Sequence, residues 1–249
     1  MLGFTLLKDD ISLIAENAEQ YDFVCVNNFV TSPYYEKLKP NLYVFLDGYF
    51  FSKEVHDDWV KQRELTFKAI NKKTTWKMQI ILPFYADEKV LSHFICSDFI
   101  EIVKVKNIGV FIKKLNFFTK LYMNSGMFGP AQNNVLIYAI YYCIWAGYKD
   151  INIYGSDMTI YQNIHVGCDN ELIIKYTHFN DSDHSEKLRT GTQKEKIPTM
   201  HEMMFSAYRI FLQHKILNDY AASKSIKIFN KSSISQIDAY SRNFKGDDV

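Results

Sequence analysis

The sequence has little cysteine, and its cysteines do not form a recognisable site. The four residues, Cys25, Cys96, Cys143 and Cys168, are far apart, with no CxxC pair. Structural zinc sites and disulfide-rich scaffolds both depend on closely spaced cysteines. The pattern excludes a zinc knuckle and a disulfide framework, and it predicts reduced thiols that are mostly buried.

The sequence also lacks an excess of charge of one sign. Its 29 lysines and arginines nearly cancel its 28 aspartates and glutamates over 249 residues. A protein that is drawn to DNA or to an anionic bilayer by its overall field needs a strongly basic balance. Nucleic acid is therefore not an expected partner.

No segment has the composition of a secretory signal or the length of a membrane span. Residues 1 to 10 lack a basic patch followed by an apolar stretch. The most apolar stretch, residues 135 to 148, is shorter than the roughly 20 residues that cross a bilayer, and it indicates a buried helix. These features predict a soluble, cytoplasmic protein whose residues 1 to 249 form one domain.

What the sequence does contain is an alternation of strand-like apolar runs with helix-like segments. The predicted strands are residues 23–26, 42–46, 78–82, 100–105, 151–154 and 226–229. Residues 53 to 73 are predicted to form an amphipathic helix, with Val55, Trp59, Val60, Leu65 and Phe67 on its apolar face. The alternation predicts an α/β fold, a Rossmann-like and mostly parallel sheet with helices on both faces. Ligands bind such sheets at the carboxyl ends of the strands, where this chain places polar residues.

A lid-like insertion is predicted at residues 158 to 198. Within it, residues 181 to 198 are charged and almost without apolar anchors, so we expect a flexible loop that closes over a ligand. Thr199, followed three residues later by Glu202, predicts a capping box at the start of a long helix.

The sharpest local pattern is the turn Asn124-Ser125-Gly126-Met127-Phe128-Gly129-Pro130, which leads directly into an apolar helix from Ala131 to Gly147. Small residues before a helix leave backbone N–H groups free to meet an anion, which the helix dipole also favours. The turn therefore predicts a phosphate or carboxylate site. Similar turns precede many helices, so the weight of this pattern comes from the segment that follows it.

That segment, AGYKDINIYGSD, resembles part of the bacterial sialyltransferases that decorate lipooligosaccharide. Those enzymes carry a TSG turn, a helix and a GYKEIYLSGID segment. On this resemblance, residues 124 to 126 correspond to the turn, Asp157 corresponds to the final acid, and Gly155 and Ser156 precede it. The segment DFVCVNNF is similar to the family's strand that ends in an asparagine at the nucleotide, a position that Asn27 takes beside Asn28. The next strand ends at Asp47, where the family has asparagine.

The resemblance implies a GT-A-like nucleotide-binding domain with a small lid, CMP-sialic acid as donor, no metal or other cofactor, and a lid histidine as general base. Three histidines compete for that role. His184 matches the family's His-Ser pair, His201 lies in the first turn of the long helix, and His178 follows an apolar run. Tyr161 is expected to touch the donor phosphate, with Thr159 as the alternative.

The chemistry suits a metal-free reaction. A CMP-sugar has one phosphate, so hydroxyls and backbone amides can meet the leaving-group charge without a divalent ion. A neutral imidazole near pH 7 can take the proton of the acceptor hydroxyl. We therefore expect a glycosyltransferase that transfers sialic acid or a related ulosonic acid such as Kdo, with inversion, to a bacterial surface glycan. Its partners would be the donor and a glycan acceptor, whose lipid would bring the protein close to a membrane.

Two departures from the family keep other functions open. Tyr122 stands where the family has an arginine before its turn, and Lys120 is the nearest cation. The chain begins Met1-Leu2-Gly3 where the family has a strand and a GNGPSL loop, and a missing neighbour strand would expose an edge that favours homo-oligomerisation or lowers stability. The alternatives are a catalytically inactive nucleotide-binding or assembly subunit, and a pyrophosphokinase-like transferase that uses ATP with magnesium.

Overall fold

The computed structural model describes Ile14, residues 18 to 176 and residues 184 to 242. A parallel sheet forms its first half. The strands lie in sequence order, as β1 (Val24–Val26), β2 (Leu42–Val44), β3 (Met78–Pro83) and β4 (Ile100–Val105). Parallel neighbours need crossover connections. The crossovers carry α1 (Tyr35–Leu38), α2 (Asp57–Lys73) and α3 (Glu88–Ser92).

An aromatic core covers one face of this sheet. Tyr35, Tyr43, Phe45, Phe50 and Phe67 are fully buried, and the rings of Tyr43 and Phe45 stack with their centroids 4.9 Å apart. These large rings place much apolar area in a small volume, which stabilises a short-stranded sheet.

The face that α2 buries differs from the predicted one. Its buried residues are Arg63, Thr66, Phe67 and Ile70, whereas Leu65 is 64% exposed. Arg63 is buried because its guanidinium donates to the carbonyl oxygens of the loop after β2, an interaction that apolar periodicity does not reveal.

The second half of the molecule pairs strands that are distant in sequence. β5 (Ile108–Val110) pairs with β6 (Phe128–Pro130), and β7 (Asp150–Ile153) pairs with β11 (Lys227–Asn230), both in parallel. The helices here are α4 (Phe117–Asn124), α5 (Val135–Ala146) and α6 (Met200–Ala222). Nine of the twelve residues of α5 are buried, because this helix packs against both halves. The described residues confirm an α/β fold with a mostly parallel central sheet.

A gap separates the two halves of the sheet. A cavity of about 710 Å³ lies between β1 and β7, with Leu136 and Ile140 of α5 in its wall. The Tyr148 hydroxyl donates to Asp22 Oδ2 at 2.9 Å just before the two strands, so both strands start at the same end of the gap. In the described residues, β1 pairs only with β2 and β7 only with β11. Among the described residues, no strand lies between the facing edges of β1 and β7.

The described residues of the predicted lid form a small subdomain. β8 (Ile164–Val166), β9 (Leu172–Tyr176) and β10 (His184–Lys187) form an antiparallel sheet in the order β10-β9-β8. The prediction of a flexible loop over residues 181 to 198 is wrong for residues 184 to 187, because they form β10 and pair with β9. The residues that follow β10 form a loop, in which Leu188 joins the small core beneath. Thr190 then pairs with Lys196 across a tight turn.

Most other element predictions are confirmed to within two residues at either end. The Thr199–Glu202 capping box is present, with the Thr199 N–H donating to Glu202 Oε2 at 2.8 Å. The apolar helix, however, begins at Val135 rather than at Ala131, because β6 and a four-residue link precede it. Among the residues described here, no helix combines the length and apolarity needed to cross a membrane.

Candidate functional site

The carboxyl ends of β1, β2 and β7 meet at the N-terminal end of α5. Val135, the first residue of α5, packs in one apolar cluster with Val26 and Val44. Asn134 caps the helix by accepting from the Leu136 N–H at 2.7 Å, and its Nδ2 lies 3.3 Å from the sulfur of Met158 in the loop after β7. The positive end of the helix dipole therefore faces the same edge as the strand ends.

Asn27 and Asp47 form the polar centre of this edge. Asn27 Nδ2 donates to Asp47 Oδ2 at 2.9 Å, and the Tyr43 hydroxyl donates to the Asn27 carbonyl at 2.7 Å. Asn27 has φ of +49°, a conformation that asparagine tolerates better than most residues. Its Oδ1 is buried and has no hydrogen-bond partner among the described residues. Because an unpaired buried acceptor is costly, this atom marks a position where a ligand donor would fit.

Two tyrosines, Tyr49 and Tyr85, lie near Asp47. Burial raises the pKa of Asp47, and the hydrogen bond from Asn27 opposes that shift. Burial also raises the pKa values of Tyr49 and Tyr85, and the nearby Asp47 carboxylate raises both further. Asn28 contributes support: its Oδ1 accepts from Thr66 Oγ1 at 2.8 Å. The site thus offers a carboxylate and an amide oxygen as acceptors beside two tyrosine hydroxyls.

The loop after β7 is held by the segment after β11. Gly155 has φ of +62°, which lets the chain turn sharply there. The Ser156 N–H donates to Ser232 Oγ at 2.9 Å, and Ser235 Oγ donates to the Ser156 carbonyl at 2.6 Å. Ser156 Oγ is buried and unpartnered within the described ranges. The Asp157 carbonyl accepts from the Gln236 N–H at 2.9 Å.

The segment from Asn124 to Pro130 does not lead directly into the apolar helix, so its predicted position in the fold is wrong: residues 131 to 134 lie between β6 and α5. The turn Asn124-Ser125-Gly126 ends α4, and a Cβ at Gly126 would lie 2.5 Å from Nε1 of Trp145 near the C-terminal end of α5. Ten residues of helix, about 15 Å, separate Trp145 from Val135. The residues that lead into α5 are 131 to 134, because β6 intervenes after the turn.

All three residues of that turn make internal hydrogen bonds. Asn124 Oδ1 accepts from the Tyr220 hydroxyl at 2.8 Å, and Ser125 Oγ donates to the Tyr122 carbonyl at 2.6 Å. The Gly126 carbonyl accepts from Asn107 Nδ2 at 2.9 Å. The turn therefore joins α4, α6 and the link between β4 and β5.

The lid contacts the loop that follows β2. A Cβ at Gly48 would lie 3.3 Å from the methyl group of Thr192, and the Thr192 carbonyl accepts from the His56 N–H at 2.9 Å. Lys194 Nζ lies 2.9 Å from Asp58 Oδ2. The turn that follows β10 is thereby attached close to Asp47.

The candidate bases are distributed over the lid and α6. His184 is the first residue of β10, in register with Tyr176. His201 is exposed in the first turn of α6, with Nδ1 2.9 Å from Thr199 Oγ1. His178 lies outside the described residues.

The two candidate phosphate-binding hydroxyls are in the turn Thr159–Asn163, just before β8. Tyr161 hydrogen-bonds Ser206 of α6, and its ring packs 6.3 Å from that of Phe211. Burial raises the pKa of Tyr161, against the effect of its bond to Ser206. Thr159 is half-buried at the start of the turn, closer along the chain to Asp157. Tyr161 is therefore attached to α6, which leaves Thr159 as the simpler candidate.

The sequence analysis missed two buried polar residues on α6. Gln213 Oε1 accepts from the backbone N–H groups of Ile112 and Ala131, both at 3.2 Å, and so positions the link into α5. His214 Nδ1 lies 2.8 Å from the Tyr240 hydroxyl, and burial lowers the pKa of His214 to about 3. His214 is thus neutral and belongs to the core. The sequence signal that could have located Gln213 and His214 is that they are two polar residues on the otherwise apolar face of a long helix.

No group of three or more metal-ligating side chains occurs in residues 18 to 176 and 184 to 242. Compared with protein-family models, with curated proteins and with solved structures, the chain has no significant match in any of the three.

Proposed function

We propose that this chain is a Rossmann-like, metal-independent glycosyltransferase that binds a CMP-activated ulosonic acid, such as CMP-sialic acid or CMP-Kdo. The observation that carries the proposal is the Asn27–Asp47 pair, with its unpartnered Asn27 Oδ1, at the N-terminal end of α5. The acceptor would be a bacterial surface glycan, and the reaction would invert the anomeric centre.

The amide orientation of Asn27 supports a cytosine ligand. An ionised carboxylate only accepts hydrogen bonds, so the contact with Asp47 assigns the nitrogen of Asn27 to that side and leaves Oδ1 as the free acceptor. Cytosine presents an amino donor at N4, whereas a uracil-type base presents an oxygen at that position. An acceptor here favours cytosine, while the Asp47 carboxylate suits a ribose hydroxyl.

The end of α5 supports a single phosphate. The first N–H groups of a helix lack internal partners, and the Asn134 side chain takes only the one from Leu136. The remaining N–H groups and the unpartnered Ser156 hydroxyl are donors of the kind that stabilise a monoester leaving group. Such donors meet the charge of one phosphate without a divalent ion.

Ligand-induced thermal shift tests the nucleotide class. At a hundred times its dissociation constant, a ligand stabilises the native state by about 2.7 kcal/mol. We expect CMP to raise Tm equally with magnesium and with EDTA, and UMP to have a much smaller effect. If only ATP with magnesium raised Tm, the pyrophosphokinase-like alternative would replace this proposal.

A matched pair of asparagine variants tests the site itself. Asn27→Gly removes the amide and tolerates the positive φ of +49°, while Asn170→Gly makes the same change at φ of +60° in the hairpin between β8 and β9. We expect the first variant to lose the CMP response and the second to keep it. Equal CMP responses in the two variants would place the nucleotide elsewhere.

Turnover separates an enzyme from an inactive subunit. We propose His184 as the general base, and removal of such a group lowers rates by about 10² to 10⁴. His184→Ala should therefore lose sugar transfer while retaining CMP binding, and His201→Ala should retain both. Loss in His201→Ala alone would reassign the base. CMP binding without any turnover of CMP-sialic acid or CMP-Kdo would favour the inactive subunit.

A further inference from the structure

The outer face of α4 is apolar, the reverse of the usual pattern for a surface helix. Phe117, Phe118, Leu121 and Tyr122 are 75%, 66%, 56% and 55% exposed, while Met123 on the opposite side is fully buried. A surface helix ordinarily directs its polar residues outward. Adjacent exposed apolar residues of this kind mark an interaction surface rather than isolated surface side chains.

Neighbouring elements extend this apolar face. The ring of Tyr122 lies 5.7 Å from that of Phe128, and the Gly126 turn abuts Trp145, which is 58% exposed. Met127, between Gly126 and Phe128 in the sequence, is also 58% exposed. A groove of about 590 Å³ runs beside α4 and is lined by Lys113, Lys114, Tyr122 and Phe128. We call the residues of α4 with Met127, Trp145 and this groove the α4 surface.

The segment of the chain that carries the α4 surface has side-chain charges of one sign. Although the whole chain has a formal net charge of only +1, residues 102 to 149 contain six lysines and no aspartate or glutamate. The lysines are Lys104, Lys106, Lys113, Lys114, Lys120 and Lys149. Lys113 and Lys114 are exposed immediately before α4, and Lys120 is on the helix itself.

From these observations we propose that the α4 surface docks onto an anionic lipid bilayer, with the aromatic face at the acyl boundary and the lysines at the headgroups. Interfacial helices combine phenylalanine, leucine and tryptophan on one side with lysines that contact anionic lipid. Tyrosine and tryptophan favour the interface itself because one end of each ring system is polar. A protein partner would satisfy the apolar face but would need a matching acidic surface, whereas an anionic bilayer supplies both.

Docking of the α4 surface onto a bilayer does not require nucleotide binding. The net charge of the entire chain does not reveal this surface, because it conceals the excess of six positive charges in residues 102 to 149. Clusters of lysine near a bilayer act locally, within about one Debye length of about 8 Å at physiological ionic strength.

Co-sedimentation of the full chain with vesicles tests the proposal. The probes are vesicles of phosphatidylcholine alone and of phosphatidylcholine with 30 mol% phosphatidylglycerol, a composition chosen for the assay. We expect the chain to bind the anionic vesicles and to show little binding to neutral ones. Each lysine near an anionic surface strengthens binding about fivefold, so Lys113→Gln/Lys114→Gln should weaken it about 25-fold and reduce its salt dependence.

A second variant tests the apolar contribution. Phe118→Ser/Leu121→Ser should weaken binding to anionic vesicles at least tenfold without changing the salt dependence, because it removes apolar area and no charge. The matched controls are Leu65→Ser, which removes a side chain that is 64% exposed on α2, and Lys72→Gln/Lys77→Gln. Both controls should bind like the parent chain, and melting curves will show that each variant is folded.

Each outcome decides the matter. Selective loss in the two α4 variants would support the proposal. Absence of binding by the parent chain, or equal binding by all variants, would overturn it. Concentration-dependent dimerisation that Phe118→Ser/Leu121→Ser abolishes, with no vesicle binding, would also overturn it and would identify the surface as an interface between two copies of the chain.

Discussion

The two ends of α5 carry two polar regions that look alike in sequence and differ in their hydrogen bonding. At the N-terminal end, Asn27 Oδ1 and Ser156 Oγ are buried without partners in the described part of the chain. At the C-terminal end, the side chain of Asn124 bonds to α6 and that of Ser125 bonds to α4. The Gly126 carbonyl bonds to the link between β4 and β5. Buried hydrogen-bonding groups without a partner point to a ligand, and among the described residues at the two ends of α5 only the N-terminal end shows such groups.

The largest expected effect concerns the support beneath the N-terminal region. In Tyr43→Phe, the buried Val30 N–H and the Asn27 carbonyl both lose the hydroxyl that they contact at 2.9 and 2.7 Å. We expect the free energy of unfolding to fall by about 2 to 4 kcal/mol, since each buried group left unpaired costs about 1 to 3 kcal/mol. Urea denaturation measures this, with the exposed Tyr208→Phe as control. An unchanged midpoint would show that Asn27 is held in some other way.

The next effect tests the C-terminal region. Asn124→Ala removes the partner of the Tyr220 hydroxyl, and we expect a loss of about 1 kcal/mol in unfolding free energy. The shift in Tm produced by CMP should be the same as in the parent chain. A variant that was stable but no longer responded to CMP would place the phosphate at this turn and reverse the comparison.

A smaller effect concerns the charge of Asp47. Because burial raises its pKa, the native state holds this proton more tightly than the unfolded chain does, and stability falls as pH rises from the ordinary value of 3.8 through the raised one. Asp47→Asn has no carboxyl group to ionise, so it avoids this loss of stability at higher pH. We expect the variant to have a slightly higher Tm than the parent at pH 7 and the same Tm below pH 3.8. A variant less stable at pH 7 would mean that the carboxylate is stabilised by its surroundings.

The smallest effect on stability is expected at Ser156. Its hydroxyl has no partner among the described residues, so Ser156→Ala should change the unfolding free energy by less than about 0.5 kcal/mol. If the hydroxyl meets the phosphate, CMP affinity should fall roughly fivefold to tenfold. Ser235→Ala is the contrasting variant, because Ser235 Oγ bonds both the Ser156 carbonyl and Asn230 Nδ2, and it should lower stability. Unchanged CMP affinity in Ser156→Ala would remove this residue from the site.

Local patterns in the sequence predicted the elements well where short-range physics decides them. Alternating apolar runs located β1 to β4, and the Thr199–Glu202 pair marked the start of α6, since a capping box involves only residues of one turn. The polar strand ends at Asn27 and Asp47 were likewise visible, because parallel strands place their carboxyl ends together. The order within the lid was not foreseen, because its strands are short and its apolar anchors are few.

The sequence by itself determined the strands β1 to β4, β7 and β11 and the helices α2, α5 and α6, and that Asn27 and Asp47 stand at neighbouring strand ends. Only the tertiary structure decided that β7 pairs with β11, that the turn at Gly126 lies against Trp145, and that Asn27 keeps an unused acceptor. The physical reason is range: propensity and capping act within a few residues, whereas strand pairing and the use of each hydrogen-bonding group depend on contacts between residues that are far apart in the sequence.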